Sequence, residues 1–244
     1  MHIEKTAGHA FRVLLERVYD GHVLLGMNDE ERNFLRTVAR TNPDVAASAR
    51  VVHGHMPWGF HRWFPCAYTY VAFVRKPLDR VVSYYHYCRG STTHNLRGVA
   101  NELDLEGFVK LNPFFAVDNA MCRYFAGRIG SMAVRSCDLP RGATLRQLLE
   151  EAQENIERDF PVVGIVERMD ASLRALEARY GWSPGQRAMV VNANPGRPRI
   201  EDIPGSTRAM IEDANRLDVD LYDWCDRRLP RDVVLPLTTL ASRG

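Results

Sequence analysis

Two short segments of the chain hold residue types suited to gripping phosphate. Glu4-Lys5-Thr6-Ala7-Gly8-His9-Ala10 lies between an apolar stub, Met1 to Ile3, and a stretch whose Phe11, Leu14, Leu15 and Val18 share one helical face. A loop that opens a helix presents unpaired backbone N–H groups and the positive end of the helix dipole, a setting for an anion. Ala7 and Gly8 let the backbone approach, Thr6 brings a hydroxyl and Lys5 a point charge. The loop is not the G-x-x-x-x-G-K-[ST] of nucleotide-triphosphate enzymes. The second segment is Arg75-Lys76-Pro77-Leu78-Asp79-Arg80-Val81-Val82-Ser83. It follows the strand-like run Tyr68 to Val74, and Pro77 suits the first turn of a helix. Arg75 and the Ser83 hydroxyl would make a clamp for a phosphate monoester, because a guanidinium matches phosphate bidentately. Each segment also has a plainer reading. Lys5 would be a solvated lysine in a structural turn, and Arg75 a partner of Asp79 or Glu167 with Ser83 merely filling the helix.

Positioning these groups requires strands and helices in alternation. Strand patterns fall at Ala49 to His53, Tyr68 to Val74, Val162 to Val166 and Met189 to Val191, with the stub before Glu4 as a fifth. All are short and apolar on both parities, as expected of parallel strands covered on two faces. Helical spacing marks Leu145, Leu148, Leu149, Ala152 and Ile156, and again Leu173, Leu176 and Tyr180, with Gly181 as a stop. This alternation predicts an α/β fold, a three-layer sandwich around a central, mostly parallel sheet, in one domain over residues 1–244. The stub is shorter than the usual strand of about 5–6 residues, which suggests a start upstream of Met1. Asn194 to Pro204 reads as a connecting loop that could also lie over a ligand.

The bulk composition narrows the partners. Lys+Arg is 32 against Asp+Glu 30, so net charge points to neither nucleic acid nor a membrane surface. No apolar run approaches the roughly 20 residues of a membrane helix, and no signal-peptide pattern opens the chain. The five cysteines, Cys66, Cys88, Cys122, Cys137 and Cys225, have no metal-binding spacing. Reduced thiols in a cytoplasmic protein that needs no metal are the simplest expectation.

The motifs then carry a resemblance. His2-Ile3-Glu4-Lys5-Thr6-Ala7-Gly8 resembles the 5′-phosphosulfate loop of carbohydrate-type sulfotransferases, the family of heparan sulfate 2-O-sulfotransferase and its bacterial relatives. It departs from the usual His-Ile-Pro-Lys-Thr-Gly/Ala-Gly-Thr-Ser at Glu4, His9 and Ala10, so two hydroxyl donors are replaced and a carboxylate appears. Arg75, Pro77, Arg80 and Ser83 match that family's 3′-phosphate segment, with Lys76 in its Asn/Asp place. Looser matches follow in the family's order: His53-Gly54-His55-Met56-Pro57, Asn119 through Gly127, Val163 through Asp170, Asn192 through Pro195, and Leu217 through Tyr222.

The resemblance implies a P-loop-like sulfotransferase fold and transfer of a sulfuryl group from 3′-phosphoadenosine 5′-phosphosulfate (PAPS) to a hydroxyl. The acceptor would be a saccharide or a glycosylated small molecule, and 3′-phosphoadenosine 5′-phosphate (PAP) the product. Lys5 would bond the oxygen bridging phosphorus and sulfur, while Thr6, Ala7, Gly8 and His9 hold the 5′-phosphate and Arg75 and Ser83 the 3′-phosphate. The second histidine of His53-Gly54-His55 would be the base, with Glu4 as its competitor. His53 would be a buried orienting residue. Trp58 and His61 are candidates for acceptor contact. The aromatic cluster Trp58, Phe60, Trp63 and Phe64 serves equally to stack on sugars or to plug a core. Arg123 would meet an acidic acceptor group or else form a structural ion pair. Two other classes stay open: a PAP/PAPS-binding protein that has lost catalysis, and a nucleotide-dependent phosphotransferase, which would need a Walker A loop and magnesium ligands that the sequence does not display.

Overall fold

The structure is a computed structural model and describes residues 1–20, 22–64, 66–112, 116–128, 145–183 and 198–230. Its strands are β1 (Val23–Gly26), β2 (Val51–Gly54), β3 (Val71–Val74) and β4 (Val162–Ile165). The helices before β3 are α1 (Gly8–Val18), α2 (Asp29–Thr41) and α3 (Pro43–Ser48). Between β3 and β4 come α4 (Pro77–Gly90), α5 (Arg97–Glu102), α6 (Leu105–Leu111), α7 (Ala120–Phe125) and α8 (Leu145–Asp159). After β4 come α9 (Met169–Tyr180), α10 (Gly205–Ala214) and α11 (Arg216–Arg228). Among the described residues, no helix is long and apolar enough to cross a membrane.

The α/β character expected from the alternating pattern holds, with small parallel sheets. The strands form two parallel pairs rather than one continuous ladder. β1 pairs with β2 from Val23↔Val51 to Gly26↔Gly54. β3 pairs with β4 from Val71↔Val162 to Val74↔Ile165. The stub expected as a fifth strand is the link between them. His2 N–H donates to the Gly54 carbonyl (2.8 Å), and the Met1 amino group donates to the Val71 carbonyl (3.0 Å). Three residues are too few for a ladder of their own, yet they close the gap between the pairs. Ile3 is fully buried beside Val74, Ala72 and Tyr70. β1 is an addition to the strands legible in the sequence, and Met189 to Val191 lies outside the described residues.

Packing follows the apolar stripes. Phe11, Leu14 and Leu15 of α1 pack with Phe73, Leu173 and Leu176. Leu148, Ala152 and Ile156 of α8 join Phe125, Phe160 and Leu221. α9 ends at Gly181, whose φ of 69° is the left-handed conformation that costs glycine little. α4 starts with Pro77 at its first turn, where the missing N–H is no loss.

Several segments that carry the family resemblance prove to be braces. Asn119 Oδ1 accepts the N–H groups of Leu217 (2.9 Å) and Asp218 (3.2 Å), so α7 and α11 are locked together. Asp218, fully buried, accepts the N–H groups of Met121 (2.9 Å) and Cys122 (2.8 Å). Burial pushes its carboxyl above the ordinary value, against the pull of Arg80 and those N–H groups. Arg80 is itself 0% exposed, and its guanidinium nitrogens have no hydrogen-bond partner among the described residues. Arg80 therefore lies within the core beneath α4. Glu167 accepts from Lys76 N–H (3.0 Å) and from the Tyr222 hydroxyl (3.1 Å), which pins the start of α4.

Candidate functional site

β2 ends at Gly54, β3 at Val74, and the loop 4–8 follows the stub that joins them, so the segments after all three meet at one edge. In open α/β sheets this carboxyl edge is where ligands bind. The Arg75 guanidinium donates to the Lys5 carbonyl (3.2 Å) and lies 3.9 Å from Asp79 Oδ1. The loop and the second segment are thus physically tied. Arg75 stands at the end of β3 and is also paired with Asp79.

Lys5 and Ala7 both have positive φ, 65° and 64°. Left-handed residues in such a loop turn successive N–H groups toward one concave side, a nest for an anion. α1 begins directly at Gly8, so the N–H groups of Gly8, His9 and Ala10 lack intrahelical acceptors. Ala7, the N-cap, supplies no side-chain cap to them. Gly8 is required for a different reason: a Cβ there would sit 1.8 Å from the His2 ring. The left-handed alanine costs about 1 kcal/mol relative to glycine. Ala7→Gly is accordingly expected to stabilise the fold by about that amount while keeping any anion affinity. Chemical denaturation measures this, and a less stable variant would contradict the loop conformation.

Thr6 is 1% exposed, and its hydroxyl donates to the Ile3 carbonyl (2.8 Å). Its backbone N–H donates to the same carbonyl (3.4 Å), so both Thr6 donors fasten the turn. The Lys5 ammonium sits over the Tyr87 ring at 4.1 Å from the centroid. Asp79, Ser83 and Tyr87 follow at i, i+4 and i+8 on α4, one ridge of the helix. Arg75 reaches this ridge at Asp79 and Lys5 reaches it at Tyr87, so half-buried Ser83 lies one turn from each contact. His9 is exposed on the first turn of α1.

His55 comes to the same edge. Its Nδ1 is 2.9 Å from the His2 carbonyl and 4.0 Å from Glu4 Oε1. His2 is stacked between the other two histidines of this region, 4.3 Å from the His55 ring and 5.3 Å from His53. Burial drives His2 well below its ordinary value, and drives His53 down to about 3. Both are therefore neutral at physiological pH, and His53 is the buried residue expected.

Three further groups, which spacing alone did not single out, face this edge. The Tyr124 hydroxyl donates to Glu4 Oε2 (3.0 Å). Burial and then Glu4 push its phenol far up, so it remains a donor. Tyr84 is likewise raised, by burial and then Glu4. His94, from the loop after α4, accepts the Leu96 N–H at Nδ1 (3.1 Å), which leaves its Nε2 protonated and 3.9 Å from Cys88 Sγ. Burial pushes the Cys88 thiol up to about 11, so this pair is no thiolate nucleophile. Among the groups not singled out from sequence, Tyr87, under Lys5, had a readable signal in its helical spacing from Ser83. Tyr124 and His94 arrive through tertiary packing.

The candidates for acceptor contact lie elsewhere. Trp58 Nε1 donates to Asp159 Oδ2 (2.6 Å), and the Asp159 carbonyl accepts from Tyr70 N–H just before β3. His61 bonds the Tyr70 hydroxyl (2.9 Å) and stacks on Tyr68 at 3.9 Å. These groups gather at the amino edge of β3 and β4, and a four-residue strand separates the two edges by about 13 Å. Arg123 is 5% exposed and bonds Asp118 at both its carbonyl (3.0 Å) and its carboxylate (3.1 Å), the structural ion pair among its two readings. Among the described residues no cluster of three or more His, Cys, Asp or Glu could hold a metal. Cys66, Cys88, Cys122 and Cys225 are free thiols, and Cys137 lies outside the described residues. Compared with known protein families and with curated proteins, the chain matches none.

Proposed function

We propose that this chain is a PAPS-dependent sulfotransferase, with the three-layer arrangement of that class, acting on a hydroxyl of a saccharide or glycosylated small molecule. One observation carries the reading: Lys5 and Arg75, from two separate motifs, are tied by a hydrogen bond and touch the α4 ridge one turn to either side of Ser83. The nest at Lys5 and Ala7 and the free N–H groups opening α1 fit the 5′-phosphate of the donor. Ser83 and Arg75 take the 3′-phosphate.

In the transfer, the acceptor oxygen attacks sulfur in line and forms a new S–O bond. The bond from sulfur to the bridging oxygen breaks, and its electron pair stays on the phosphate of PAP. The Lys5 ammonium leaves the Tyr87 ring for that oxygen and offsets the growing charge. His55 Nδ1 bonds a carbonyl, which only accepts, so Nδ1 carries the hydrogen and Nε2 the lone pair. The acceptor proton passes to Nε2.

Calorimetric titration with PAP tests the reading. Micromolar binding is expected, weakened on the order of tenfold in Ser83→Ala, the loss of one hydrogen bond to a charged group. A folded protein that binds no PAP would overturn both this reading and the binding-only alternative. That alternative draws on the Thr6 hydroxyl being turned inward and on Glu4 standing in the loop. Sulfuryl transfer from labelled donor to a glycan panel, abolished in His55→Ala with PAP binding retained, separates the two.

A further inference from the structure

We infer that Glu4 is the charge partner of His55, a carboxylate aimed by the Tyr124 hydroxyl to hold the imidazolium formed when His55 takes the acceptor proton. The inference rests on the transfer reading for the origin of that proton, and on geometry for the rest. Both carboxylate oxygens of Glu4 have a fixed task. Oε2 accepts from Tyr124 at 3.0 Å, and Oε1 lies 4.0 Å from His55 Nδ1. Tyr124 is buried and keeps its proton, so it acts as a donor to a carboxylate and sets its direction. His55 Nδ1 already donates to the His2 carbonyl at 2.9 Å, which fixes the ring and leaves the lone pair on Nε2.

The other groups around the pair do not supply this charge. His2, stacked on His55, is driven neutral by burial and adds none. Lys5 is spent over Tyr87 and then on the leaving oxygen. His94 is driven down by burial, and Tyr84 is driven up, so both face Glu4 uncharged. Arg32, on α2, is a cation whose charge acts on the Tyr124 hydroxyl, and it supplies no negative charge to His55. Among the described residues, Glu4 is the carboxylate within ion-pair distance of His55. When the acceptor O–H bond breaks, its proton goes to Nε2, its electron pair forms the bond to sulfur, and the positive charge left on the ring meets Oε1. Glu4 touches no reacting atom and is a positioning residue.

Glu4→Gln keeps the size of the side chain and removes the charge. If Glu4 stabilises the imidazolium, kcat falls on the order of 10- to 100-fold, part of the range of general-base catalysis. PAP affinity stays the same or tightens, because a negative charge beside an anion site has gone. Glu4→Asp recovers part of kcat, and Tyr124→Phe loses less than Glu4→Gln in the same direction. An unchanged kcat overturns the inference, as does a loss of PAP affinity in step with kcat, which would mean that Glu4 merely braces the loop. The nitrogen-15 signals of the His55 ring give a readout without turnover. An Nδ1–H tautomer held by the His2 carbonyl in both proteins, with an Nδ1 signal that moves when Glu4→Gln removes the charge, supports the pairing, and an unmoved signal overturns it. A wild-type Nε2–H tautomer overturns it even where transfer is found. A wild type that binds PAP but transfers nothing, while the Nδ1 signal still moves in Glu4→Gln, defeats the transfer reading while the pairing stands.

Discussion

Arg75→Ala is expected to weaken PAP binding on the order of 100-fold. Two losses combine. The guanidinium is the group whose planar fork matches a phosphate, and a hydrogen bond between charged groups contributes about 1.5–3 kcal/mol. It also holds the Lys5 carbonyl at 3.2 Å, so its removal releases the loop whose left-handed Lys5 and Ala7 form the nest. Arg75→Lys divides the two contributions. A lysine keeps the charge without the fork, so it should recover less than half of the lost free energy. Calorimetry on the folded variants measures both. A change below threefold in Arg75→Ala would assign the side chain wholly to its contact with Asp79, 3.9 Å away, and would move the 3′-phosphate elsewhere. Thermal unfolding of the same variants separates a loosened protein from a weakened site.

Arg75 was legible because strand, proline and helix follow one another in the sequence. Tyr68 to Val74 is a β-rich run, Pro77 opens a helix, and Arg75 stands between them at the strand end. His55 was legible for the same reason, one residue beyond β2. β1 was not, since Val23–Gly26 is a four-residue apolar run without alternation, and such runs fit helix or strand equally. The link between the two sheet pairs rests on two hydrogen bonds from Met1 and His2, which no periodicity encodes. Residue type alone leaves most open where a group can have two roles. Trp58 and His61 look like sugar-stacking residues, yet Asp159 and Tyr70 hold them at the amino edge. Arg123 looks like an anion receptor, yet Asp118 occupies it. Glu4, read as a departure from the family loop, is engaged with Tyr124 from 120 residues away, a contact only the fold creates.

The histidines under the loop should make this fold sensitive to mild acid. His53 is 2% exposed, and neither ring nitrogen has a partner among the described residues. Burial sets its folded value at about 3, against 6.5 ordinarily. Below pH 6.5 the unfolded chain therefore binds a proton that the folded chain refuses. The contribution of His53 is complete above that pH and is lost as the pH falls from 6.5 toward 3. The slope is about 1.4 kcal/mol per pH unit, so acidification to pH 5 removes about 2 kcal/mol from a total that is typically 5–15. His2, driven down by burial and by His55, adds in the same direction. Asp218 runs the opposite way, because its carboxyl is pushed up by burial and gains as the pH falls. The quantity to read is therefore the difference between wild type and His53→Leu. Urea midpoints at pH 7 and pH 5 should show the variant losing about 2 kcal/mol less than the wild type. Parallel losses would mean that His53 takes up its proton in the folded state. The stack His53–His2–His55 would then be a charged assembly, and the carbonyl of His2 could not be relied on to fix the ring of His55.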